Sequence, residues 1–178
     1  MAITRQPLAQ VTRQLVATAT GKVPADTVIQ GGKVVNVFTG EILFWDIAIK
    51  EDRIAIVGDV NHTIGPSTKI IDASGYYLSP GFLDGHVHVE SSMVTVTQFA
   101  RAVIPLGTTG IFMDPHEIAN VLGMNGVRLM VEEGMQLPLK VLTTMPSCVP
   151  SAPGFEDAGA AFGPDEIATA MQWPGICG

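Results

Sequence analysis

In the segment Pro80-Gly81-Phe82-Leu83-Asp84-Gly85-His86-Val87-His88-Val89-Glu90, ionisable side chains recur at every second position. Alternate residues of a strand share a face, so Asp84, His86, His88 and Glu90 are expected on one face and Leu83, Val87 and Val89 on the other. Burying four such groups unpaired is expensive, and a bound cation offsets that penalty. Two neutral imidazoles two residues apart on a strand can both reach one metal at about 2.0–2.1 Å. The plain alternative for His86 and His88 is a solvated pair on an edge strand. The acids at Asp84 and Glu90 favour the metal.

Asp114-Pro115-His116-Glu117 forms a second cluster. Asp114 could hold a ligating histidine from behind, orient a water or bind substrate, and His116 is a functional candidate beside it. Helix capping by Asp114 and a helix N-terminal position for Glu117 explain the two acids equally well and leave His116 unexplained; for Glu117 the helix role is preferred. Glu90, Ser91 and Ser92 open the loop after the His-bearing strand, where substrate contact competes with helix N-capping by either serine. Cys148 follows a third strand with no local base motif and reads as inert. His62 lies among polar turn residues and reads as solvent-exposed.

These residues need elements to hold them. After Pro80 the spacing predicts strands over 82–88, 109–113 and 139–145, alternating with helices over 95–106 and 118–134 and a helix opened by Pro164-Asp165-Glu166. Ile176-Cys177-Gly178 reads as the start of a fourth strand. Thr95 and Gln98 fit a capping box. Val96, Phe99, Val103 and Leu106 share a helical face, and Gly123 marks a break in the next helix. Units of roughly thirty residues fit βαβ repeats. Runs such as Ile111-Phe112-Met113 fit a parallel sheet covered on both sides. The fold class expected is α/β: a partial TIM-like (β/α) barrel of three to four units over 80–178. The histidines then fall at the C-terminal end of its first strand, where barrel chemistry lies.

Residues 27–79 read as short strands punctuated by Gly31-Gly32, Thr39-Gly40 and Gly58-Asp59, with a tight hairpin at Glu51-Asp52. That is a small β-sandwich-type subdomain. Residues 1–26 form an N-terminal helix or extension. Arg5, Arg13 and Lys22 without an acid could read as a transit peptide. The helical spacing of Leu8, Val11, Leu15 and Ala19 favours a short surface helix.

The chain of 178 residues is 47% hydrophobic and 15% charged, which is a core-forming composition. A net charge of -7 without a basic run argues against a nucleic-acid partner. Cys148 and Cys177 lack metal or disulfide spacing, so a reducing compartment, the cytoplasm, is the default. Apolar stretches are too short to span a membrane.

The run from Leu78 through His88 resembles the first barrel strand of the metal-dependent amidohydrolase superfamily, shared with dihydroorotases, hydantoinases, ureases and imidazolonepropionases. His88-Val89-Glu90-Ser91-Ser92-Met93, Gly107-Thr108-Thr109, Asp114 to Val121 and Met145 to Pro150 together resemble the adenine deaminases. The resemblance runs from about residue 25 to the last residue. It implies hydrolysis of adenine to hypoxanthine and ammonia in purine salvage, with a binuclear divalent metal site of Mn2+ or Fe2+. The metal activates a water for attack on the amino-bearing purine carbon, and a carboxylate carries a proton to the leaving ammonia. By the same resemblance His86 and His88 are metal ligands, Asp114 and His116 catalytic, and Glu90, Ser91 and Ser92 substrate-binding.

The family's other ligands come from later strands, and a whole barrel takes roughly 250 residues. The expectation is therefore an incomplete portion of the enzyme, with adenine as substrate and either a second copy or a C-terminal complementing fragment as partner. The competing readings are another cyclic-amide hydrolase of dihydroorotase or hydantoinase type, and an inactive truncated or split fragment.

Overall fold

A computed structural model describes residues 6–178. Arg5, one of the N-terminal cations counted above, lies outside the described residues. The chain is a mixed α/β protein that divides between Pro80 and Gly81 into two compact units.

The first unit opens with α1 (Leu8–Ala19). Val11 and Thr18 are its buried residues, whereas Leu8, expected on the inner stripe, is 59% exposed. The strands follow as β1 (Thr27–Gln30), β2 (Lys33–Asn36), β3 (Glu41–Leu43), β4 (Asp46–Lys50), β5 (Arg53–Gly58), β6 (Lys69–Asp72) and β7 (Tyr77–Leu78). They make a four-stranded sheet in the order β5-β4-β1-β6 and a three-stranded sheet in the order β3-β2-β7. The hairpin expected at Glu51-Asp52 joins β4 to β5, with Lys50 opposite Arg53 and Glu51 at a φ of 54°. α1 packs on β4 and β5. His62 is exposed, and its Nε2 lies 2.9 Å from the Ala19 carbonyl oxygen at the end of α1.

The buried core of this unit is small: Ala25, Val28, Ala48 and Val60, with Ile56 against them. Much apolar surface stays open, including Phe38 (96% exposed) and Phe44 (80% exposed). Val34, Phe38, Trp45, Ile54, Val57 and Leu78 line a cavity of about 410 Å3.

The second unit alternates β8 (Phe82–Val87), α2 (Val96–Val103), β9 (Thr108–Met113), α3 (His116–Gly134), β10 (Lys140–Thr143) and α4 (Pro164–Ala170). The three strands are parallel in the order β10-β9-β8. β9 is central, and its Ile111 and Met113 are fully buried, as a strand covered on both sides requires. Around them Val89, Val96, Ala100, Met130 and Leu139 complete one core cluster. A second cluster centres on Val127 and Val131 of α3, with Met145, Val149 and Ala170. The incipient fourth strand is present as a parallel bridge of Ile176 to Thr143, whose N–H donates to Gly175 O while Cys177 N–H donates to Thr143 O.

α3 is interrupted where the sequence indicated. Gly123 has φ 60° and ψ -144°, a conformation open to glycine, and a Cβ there would meet the Ala160 methyl at 3.1 Å. Three local expectations do not hold. The Thr95–Gln98 capping box is absent; the Glu133 carboxylate of α3 instead accepts the Thr97 N–H at 2.9 Å. Leu106 is 78% exposed, because the helix gives way after Val103 to a 3-10 turn that Gly107 closes at φ 98°. β8 ends at Val87, so Glu90 lies in a 3-10 turn over Val89–Ser92 and does not share the strand face of the histidines.

Candidate metal centre

β8 is irregular at the residues that matter. Its register against β9 shifts between Asp84 and Val87, and Asp84 Oδ1 accepts the His86 N–H at 3.1 Å. Asp84 thus serves its own backbone and stays outside the cluster its spacing suggested. His86 and His88 do converge. Their Nε2 atoms are 3.1 Å apart, with ring centroids at 4.8 Å and planes at 83°. Two nitrogens bound to one metal at about 2.0–2.1 Å lie at most about 4.2 Å apart, so this separation fits a shared cation.

Asp114 supplies a third donor. It follows β9, and its N–H donates to Val87 O at 2.9 Å, tying the ends of the two strands together. Its Oδ2 is 4.0 Å from His86 Nε2, and its Oδ1 is buried with no hydrogen-bond partner among the described residues. His86, His88 and Asp114 each present a ligand atom, all within 4.8 Å of one another. A buried carboxylate oxygen without a donor is costly unless a cation or water satisfies it. The capping alternative for Asp114 is not realised: the N-cap position of α3 is Pro115, which makes no side-chain cap bond, and the first-turn N–H of Ile118 is accepted by Glu90.

His88 is oriented from behind. Its Nδ1 lies 2.9 Å from Asp114 O and 3.3 Å from Glu117 Oε2. Both oxygens only accept, so Nδ1 carries the proton and Nε2 keeps its lone pair for a metal. Ser91 donates its hydroxyl to Glu117 Oε1. Burial pushes the Glu117 carboxyl up, but the hydrogen bond from Ser91, its own backbone N–H and the nearby His88 and His116 outweigh this and hold it below the ordinary glutamate value. Neither serine caps α2, which starts after Thr95 without a side-chain cap.

Glu90 accepts the Ile118 N–H at 3.1 Å through Oε1, while its Oε2 is buried and has no partner among the described residues. Burial raises its carboxyl above the usual range, against the pull of the Glu90 and Ile118 N–H groups. Ser92 is exposed in the same turn. His116 stands apart from the three ligand atoms, its ring centroid 6.2 Å from that of His88. Ser151 Oγ is 3.4 Å from His116 Nε2, and Cys148 Sγ is 4.0 Å from both ring nitrogens. Of the seven site residues the sequence singled out, His86, His88 and Asp114 converge, Glu90, Ser91 and His116 lie around them, and Ser92 has no recorded contact with the cluster. Glu117 was read only as an acid at a helix start and Ser151 was not singled out; their partners are 26 to 35 residues away in sequence, beyond any local pattern.

The amidohydrolase family model matches residues 77–171. An adenine deaminase of Moorella thermoacetica is 81% identical over 175 residues, which is 98% of this chain and 29% of that protein. An adenine deaminase of Clostridium botulinum is 55% identical over 174 residues, 97% of this chain and 29% of that protein. The chain therefore spans 29% of the length of these curated relatives. The solved N-acyl-D-glutamate deacylase of Bordetella bronchiseptica, complexed with zinc and a phosphonate inhibitor, is alike in fold, with a TM-score of 0.56 and 22% identity over 84% of this chain and 35% of that one.

Proposed function

The chain belongs to the amidohydrolase family, and from that premise we propose that it carries the metal-binding strand of a hydrolase that deaminates adenine to hypoxanthine and ammonia. The observation that carries this reading is the convergence of His86 Nε2, His88 Nε2 and the Asp114 carboxylate. The two adenine deaminases named above, similar along nearly all of this chain, supply the substrate.

His86, His88 and Asp114 would hold a divalent cation, Mn2+ or Fe2+, the donor set being two imidazoles and one carboxylate. Such a cation lowers the pKa of a water and supplies a nucleophile near neutral pH. The chain's own residues do the rest. His88 keeps its proton on Nδ1, and Asp114 holds its carboxylate beside His86. Ser92, Ser91 and the half-buried Glu90 offer polar groups to the edge of a heterocycle. His116, through Nε2 beside Ser151, is placed to exchange a proton with a leaving amine. In this reading β8, β9 and β10 with α2, α3 and α4 are the first units of a (β/α) barrel, and residues 27–79 form part of a composite sandwich. The protein is cytoplasmic, and its partner is a second copy or a complementing C-terminal fragment. Among the described residues no helix is long and apolar enough to cross a membrane.

The test is turnover by the Mn2+-loaded protein, with the chain extended to the length of its relatives. Hypoxanthine and ammonia appearing in equal amounts from adenine is the expected outcome. Ring opening of dihydroorotate or hydantoin, with no ammonia from adenine, would reassign the substrate to the cyclic amides.

A further inference from the structure

We propose that Glu117 is the positioning residue of His88, acting with Ser91 to hold the imidazole at the tilt and tautomer a metal requires. This rests on the reading of His86, His88 and Asp114 as the metal centre. The sequence offers Glu117 a simpler occupation, as an acid in the first turn of α3. The geometry gives it a second one. Glu117 Oε2 lies 3.3 Å from His88 Nδ1, while Oε1 accepts the Ser91 hydroxyl. The carboxylate is thereby pinned at both oxygens, between the turn after β8 and the ring it faces.

The Asp114 carbonyl already accepts from the same Nδ1 at 2.9 Å. What Glu117 adds is a negative charge behind the ring, which raises the basicity of Nε2 on the far side. A carboxylate set behind a ligating histidine has this effect in metal sites generally, and its loss weakens metal binding about 10–100-fold. Among the described residues no carboxylate is recorded behind His86: its Nε2 faces His88 and Asp114, and its side chain is 61% exposed. The site is therefore asymmetric, with His88 anchored and His86 adjustable.

The experiment titrates Mn2+ into the 178-residue protein and follows the nitrogen NMR resonances of His88 in the metal-free state. Glu117→Ala is expected to weaken Mn2+ binding about 10–100-fold and to move the His88 Nδ1 resonance while that of His62 stays in place. Glu117→Gln keeps an acceptor oxygen without the charge, so it should recover part of the affinity. Ser91→Ala should give a smaller loss than Glu117→Ala. A helix-stabilising role alone would lower the melting temperature and leave both readouts still. An unchanged His88 resonance, or an affinity within about twofold of the parent, the scale set against the loss above, overturns the inference. If the parent takes up no Mn2+ yet its His88 resonance still responds to Glu117→Ala, the metal reading fails and the positioning contact stands.

Discussion

Asp114 is held at the histidines by the Val87–Asp114 backbone hydrogen bond, with one carboxylate oxygen buried and unmatched. Replacing it by Asn keeps the shape and removes the charge. Asp114→Asn should reduce bound Mn2+ at least as much as loss of a supporting contact, about 10-fold or more. Its thermal stability without metal should be unchanged or slightly higher, since an uncompensated buried charge is gone. Metal analysis beside a melting curve checks both. Of the two histidines, His88→Ala should deplete metal further than His86→Ala, because His88 carries the anchored ring. Equal metal content in both variants would contradict that order. His86 and His88 were legible because a period of two reports directly on one face of a strand. Asp114 was only half legible: next to a helix start, an Asp reads as a cap, and only the absence of a capping bond in three dimensions separates the two roles. Glu90 misled because the alternation was carried three residues past Val87, where β8 stops.

At the scale of elements, α2 borrows its N-terminal cap from α3. Burial pushes the Glu133 carboxyl up, but hydrogen bonds from Thr97, through both its side chain and N–H, from the Thr95 side chain and from the Val96 N–H outweigh it and hold the carboxyl below its ordinary value. A depressed carboxyl stabilises the fold in full above the unfolded glutamate value of about 4.3 and loses that contribution as pH falls through the lower folded value. Glu133→Ala should therefore cost about 1 kcal/mol near neutral pH, and the gap to the parent should close in acid. Denaturant melts at the two pH values measure it; a gap that persists in acid would remove Glu133 from the cap. The Gly123 break, the strand–helix alternation and the bridge at Ile176 were all readable, since each depends on local backbone preference. The cap was not, because Thr95–Gln98 satisfies the local pattern while the true acceptor sits 36 residues from Thr97.

Across the whole molecule the two units differ in how they bury apolar surface. The unit from Gly81 onward has two clusters around Met113 and Val127, with Ile111, Met113 and Val127 at 1% exposure or less. The preceding unit has a core of Ala25, Val28, Ala48 and Val60 and an open apolar cavity beside it. Small cores give little stability, and contiguous exposed apolar surface binds hydrophobic probes. The two tryptophans of the sequence are divided between the units. Trp45 lines the cavity, and Trp173 packs with the second cluster under the Arg128 guanidinium, 5.6 Å from the ring. Each unit thus carries a single indole of its own. Energy transfer from indole to a bound naphthalene sulfonate dye should survive Trp173→Phe and vanish in Trp45→Phe, and the residual emission of either variant becomes a private record of one half of the chain as it melts.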